Sequence, residues 1–211
     1  MAQTLTRQEH EALCGRIAAA EARTTGEIYC VVARVSDSYV FPAAFMLALG
    51  IVLISLPVAF LLDRSWLALS HFAFAAAQLA ALASALLTMR AAPRLRIMLV
   101  PRRLRYSRAH LNAARQFLAH NIHLTENRTG VLIFVSLAER YAEIVADAGI
   151  NATVGQEEWN GIVARLTAAA AAGRLAEGLG DAIDRTGALL EGTFPGGVRN
   201  PNELADHVVE I

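Results

Sequence analysis

The chain contains no lysine: all 19 of its basic residues are arginine. We read that as genomic base composition and take no function from it. Cysteine is nearly as scarce, with Cys14 and Cys30 the only two in 211 residues. They form neither a CxxC pair nor a metal-ligand spacing, and both read as small buried hydrophobes, Cys14 on a helix and Cys30 in a strand core. Also missing are a CxxxxxR phosphatase loop, a P-loop and a DxDxT pattern. The histidines His10, His71, His110, His120, His123 and His207 make no HExxH or HxxxH pair. His120 and His123 are three apart at a helix end, where an ordinary histidine is also at home. The first 27 residues are charged and helical in pattern, so no secretory signal is expected there.

Charge itself is absent from two long runs. Phe41 to Leu62 carries none, and after Asp63-Arg64 neither does Ser65 to Met89. About 20 apolar residues cross the hydrocarbon core, so Val40–Met89 is predicted to be a transmembrane hairpin with Asp63, Arg64 and Ser65 as its turn. A turn that short returns the second helix beside the first, which puts both flanks on one side of the bilayer. Trp66 is placed near an interface, and Pro57 late in the first helix. Ala73, Ala77, Ala81 and Ala85 form a small-residue row suited to close packing, within the hairpin or against a second copy in a homo-oligomer. His71 and Gln78 read as hydrogen-bonding groups inside the second helix.

What charge there is lies unevenly. Residues 90–128 hold nine arginines against Glu126, whereas residues 129–211 hold five arginines and twelve acids. Seven arginines follow the hairpin closely and Arg64 alone lies in its turn. That bias predicts cytoplasmic termini, in a bacterial inner membrane. Arg94, Arg96, Arg102, Arg103 and Arg105 alternate with apolar residues and are expected to contact the membrane surface.

The remaining pattern is α+β. Thr6-Arg7-Gln8-Glu9 fits a capping box opening a helix to about Ala22, with Gly26 as a left-handed C-terminal cap. Glu27–Val35 and Val131–Leu137 read as strands covered on both faces. Tyr141–Asp147 reads as a third strand, antiparallel to the second, with Ala142, Ile144 and Ala146 on one face and Tyr141, Glu143, Val145 and Asp147 on the other. A helix is expected from about Arg105 to Asn121, and two more at 156–172 and 175–190. The organisation is therefore residues 1–39 as the first part of a domain, 40–89 as the hairpin, 90–104 as a basic juxtamembrane segment, 105–197 as the second part of the domain, and 198–211 as a loose tail. The strand at Glu27–Val35 has no partner in its own half, so the two halves are expected to share one sheet.

Thr25-Gly26-Glu27-Ile28, the run Thr129-Gly130-Val131-Leu132-Ile133-Phe134-Val135-Ser136-Leu137-Ala138-Glu139-Arg140, then Glu143-Ile144-Val145-Ala146-Asp147-Ala148-Gly149-Ile150, Trp159 and the closing Phe194-Pro195 together resemble the TPM domain family. More closely the chain is similar to bacterial membrane TPM proteins, in which a hairpin interrupts the domain after its first strand. The resemblance implies a small α/β sandwich, a central sheet flanked by helices. It implies a reaction less clearly: some plant thylakoid members are described as acid phosphatases, and most bacterial members have no assigned activity.

A metal-assisted phosphatase needs oxygen ligands for a hard cation such as calcium or magnesium. Glu143 and Asp147 on the third strand, with Asp181 and Asp184 on the last helix, are the candidates; an acidic surface paired with arginines is the plainer reading. The expected function is an interaction or assembly module for membrane proteins at the cytoplasmic face, with no nucleic-acid partner, and the metal-assisted phosphatase is its alternative. Convergence of the four acids on a pocket would favour the enzyme; a patch without convergence would favour the module.

Overall fold

The computed structural model describes residues 4–65, 70–196, 203–204 and 207–211, and residue 94 by its backbone alone. The chain divides into two compact units, one made of Met1–Ser36 with Tyr106–Ile211 and the other of Asp37–Arg105.

The first unit is built on a sheet in the order β3-β2-β1-β4, from β1 (Glu27–Ala33), β2 (Gly130–Ser136), β3 (Tyr141–Ala146) and β4 (Val208–Glu210). β1 and β2 are parallel, with Ile28 opposite Val131 and Val32 opposite Val135. Both are buried along their whole length, as an apolar run without alternation requires of central strands. The halves before and after the uncharged stretch thus share one sheet.

One face of the sheet packs on α1 (Arg7–Glu21), α7 (Gln156–Ala171) and α8 (Leu175–Thr193). Ile17, Trp159, Leu166, Leu179 and Ile183 fill that layer. The other face, with Tyr29, Val31, Leu132 and Phe134, is covered by α5 (Arg102–Ala119) through Ala113 and Phe117, and by Ile122. The period-two assignment of β3 holds. Ala142, Ile144 and Ala146 meet the α7 and α8 layer, while Tyr141 and Val145 meet the α5 layer.

α1 opens with the expected capping box, Thr6 accepting from Glu9 N and Glu9 from Thr6 N. It closes at Ala22 without a left-handed residue, and Gly26 serves differently from expectation. A Cβ there would stand 2.8 Å from Leu190 Cδ1, so the position needs a small residue rather than a positive φ. The residues from 198 were expected as a loose tail, yet β4 lies within them. It pairs in parallel with β1 at Cys30–Val32, and the buried Glu27 carboxylate accepts from Glu203 N and Leu204 N.

The second unit comprises α2 (Val40–Asp63), α3 (His71–Ala91) and α4 (Pro93–Leu99). α2 and α3 are both long and apolar enough to cross a membrane. α3 starts six residues later than the uncharged run. Ser70 caps it, so His71 is its first residue and not an interior one. Trp66, placed at an interface from the sequence, lies outside the described residues. Pro93 is the first residue of α4, where its missing N–H costs nothing. Tyr39, Ala43, Met89 and Val100 form a small core in this unit.

Candidate functional site

β3 is an edge strand: among the described residues it pairs only with β2. A cleft of about 400 Å³ runs along it. All six residues of β3 line the floor, with His110 and Ala114 of α5 on one side and Gln156, Trp159, Asn160 and Val163 of α7 on the other. The cleft exists because α5 and α7 cover the two faces of β3 and leave its outer edge open between them.

The polar groups of the cleft are tied to each other. Glu143, only 22% exposed, holds His110 Nδ1 at 2.9 Å from Oε1 and 3.0 Å from Oε2. The Tyr141 hydroxyl donates to Glu143 Oε2 at 2.8 Å. Burial first, and then that carboxylate, push the Tyr141 phenol well above its ordinary value, so it stays protonated as the donor. The Tyr106 ring lies 5.3 Å from that of Tyr141. Trp159 is 2% exposed, and its indole N–H has no hydrogen-bond partner among the described residues.

The four acidic candidates do not converge. Glu143 lies on the α5 side of the sheet with His110. Asp147 follows β3 as the N-cap of α6 (Ala148–Asn151), accepting from Ala148 N at 2.6 Å, with Arg128 Nη1 at 3.8 Å. Asp181 binds Arg185 at 2.8 Å and Asp184 binds Arg16, both on α8 across the sheet from Glu143. Among the described residues no three His, Cys, Asp or Glu side chains gather as a metal-ligand group. His120 and His123 separate too. His120 Nδ1 meets the Tyr29 hydroxyl at 3.0 Å, and the His123 ring stands near Phe117.

The arginines expected at a membrane surface belong to the second unit. Arg102 and Arg103 are exposed, and Arg96 Nε donates to Met89 O at 3.1 Å. Arg105 is half-buried, and the Arg94 side chain lies outside the described residues. Beside them on α4, Leu95 and Leu99 are exposed and Met98 is 75% exposed.

Sequence reading found Glu143 but not His110, its partner 33 residues away, nor the cleft. Nothing local marks such a pair; the one available signal was Glu143 on an otherwise apolar or aromatic strand.

A helix-flanked sheet interrupted after its first strand defines the class. The model of the TPM domain matches residues 73–189, more than half of the chain, and the chain belongs to that family. Its fold is similar to that of the BA42 protein from the psychrophilic bacterium Bizionia argentinensis. The TM-score is 0.63 at 18% identity, covering 100% of this chain and 98% of that one, a likeness of fold alone. No curated protein matches the chain.

Proposed function

We propose that this protein is a membrane-anchored TPM-domain module that binds other membrane proteins, held in a bacterial inner membrane with both termini cytoplasmic. α2 and α3 support the anchor. Their most apolar windows are 0% and 6% buried, so these are not core helices. Phe41, Phe45, Leu53, Ile54, Phe72 and Leu79 are all exposed, a surface that water disfavours and lipid accepts. The arginines after α3 support the orientation, and α4 sets its exposed Leu95, Met98 and Leu99 among them as an interfacial helix would.

The observation that carries the binding role is the open cleft along β3, whose ionisable side chains Glu143, His110 and Tyr141 are already paired with one another. A metal-assisted phosphatase would instead require Glu143, Asp147, Asp181 and Asp184 to meet around one cation, and each is engaged elsewhere. A photo-crosslinking residue at Asn160, on the cleft wall, should capture a membrane protein in living cells, with the same residue at exposed Arg7 as the control. Equal capture from both positions would refute the cleft as a binding site. Release of phosphate from a model ester, dependent on magnesium or calcium and lost in Asp181→Asn, would restore the phosphatase.

A further inference from the structure

The backbone of β3 narrows what the cleft can accept. In an antiparallel pair, alternate residues exchange both their hydrogen bonds with the partner strand and the others turn both groups away. Asp147 N donates to Gly130 O, and the register pairs Val145 with Leu132 and Glu143 with Phe134. The odd-numbered residues therefore bond to β2, and Ala142, Ile144 and Ala146 point outward. Asn151 Nδ2 donates to Ala146 O at 2.7 Å, as that direction requires. The N–H groups of all three and the carbonyls of Ala142 and Ile144 face the cleft, and no other described group is bonded to them.

Open edges are ordinarily shortened, charged or covered. This one lies at the bottom of a trench, and the trench selects the occupant. A second copy would have to bring its own α5 and α7 into the walls formed by these helices. A single extended chain carries no such bulk and adds a strand directly. Its side chains would alternate between the two walls. One set would face Trp159, Val163 and Ile144, which are apolar. The other would face Glu143, the one acidic residue of the lining, whose carboxylate retains accepting capacity beyond its bonds to His110 and Tyr141.

We infer that the β3 edge binds an extended segment of a partner protein in which apolar and cationic side chains alternate, paired through its backbone to Ala142 and Ile144. This rests on the binding role proposed above. The test uses the full chain in non-ionic detergent and a fluorescent octapeptide of alternating valine and arginine, read by anisotropy. Saturable binding is expected. N-methylating all valine amides, or all arginine amides, blocks one peptide edge at a time. One series should lose at least tenfold in affinity and the other should stay within about threefold. Glu143→Gln should weaken the peptide by about fivefold to tenfold and leave a valine–glutamine peptide unchanged. No binding, or equal effects of the two methylated series, would overturn the inference. So would a dimer, seen by sedimentation, that the peptide dissociates, since the occupant would then be a second copy. Crosslinks from Asn160 without peptide affinity would retain the binding role and remove this inference; peptide affinity without crosslinks would keep the edge as a peptide site and remove the membrane-protein partner.

Discussion

Tyr29 stands in β1 with its ring stacked on His120 at 4.6 Å and its hydroxyl 3.5 Å from His207 Nε2. His120 Nε2 lies 3.2 Å from Gln116 Oε1, which can only accept, so Nε2 carries the proton and Nδ1 accepts from Tyr29. Burial, and then His207, lower the affinity of His120 for a further proton below its ordinary value. Between the folded value and the unfolded one near 6.5, the unfolded chain binds more protons. Stability is therefore full above about pH 6.5 and falls as pH drops toward the folded value. The melting temperature should decline as the pH is lowered below about 6.5, and His120→Gln should flatten that decline. A steric case stands at Gly130, where a Cβ would lie 2.2 Å from Ile122 O. Gly130→Ala should cost about 3 kcal/mol, measured by urea unfolding, because backbone and not a movable side chain fills the space. Neither feature is local. Thr129-Gly130 stands in the sequence at the head of a strand with nothing to show that Ile122 lies against it, and the His120–Tyr29 contact spans 91 residues. Glu143 was legible as an acid on one face of the third strand and a candidate metal ligand, but its observed partner is His110, which a period-two pattern cannot supply.

Among the elements, β3, α1, α7 and α8 were legible from their apolar period, and β1 and β2 from continuous apolar runs that only a strand covered on both faces can bury. β4 was not. Three residues, Val208–Glu210, show no period, and only the β-branched Val208-Val209 hinted at a strand. Its placement comes from long-range contacts: Val208 O with His10 Nε2 at 2.8 Å, Ile211 N with Val32 O, and the Glu210 carboxylate with Thr4 N and Leu5 N. Val208 is buried between α1 and the sheet. Val208→Asp should therefore destabilise the protein by about 3 kcal/mol, since it sets a carboxylate in an apolar layer. An effect under about 0.5 kcal/mol in urea unfolding would mean that β4 contributes little to the sheet. α4 was also unread, although Leu95, Met98 and Leu99 have helical spacing; seven residues interrupted by arginine resemble a linker.

At the scale of the whole molecule, the chain leaves the sheet at Ser36 and re-enters its unit at Tyr106, with the second unit between. Cytoplasmic termini predict that a green fluorescent protein fused after Ile211 is bright in cells and an alkaline phosphatase there is inactive; the opposite pair would reverse the proposed orientation. Excision is the sharper test of how the fold is held. The first unit draws its core from both sides of the insertion, with Ile17, Ile28 and Val32 from before it and Val131, Ile133, Trp159 and Leu179 from after it. The junction is fastened within that unit: Ser36 N donates to Glu139 Oε1 at 2.9 Å, Ser36 and Ser136 hydroxyls meet at 2.7 Å, and Leu137 N donates to Ala33 O. Closing a loop costs only slowly more with length, so a short flexible linker can replace a long insertion at little expense. Replacing residues 37–105 by a glycine–serine linker should therefore yield a water-soluble domain that unfolds in one cooperative transition, with slow amide exchange at Ile28–Val32. A soluble product with fast exchange at those amides would show that β1 needs the second unit to stay paired with β2.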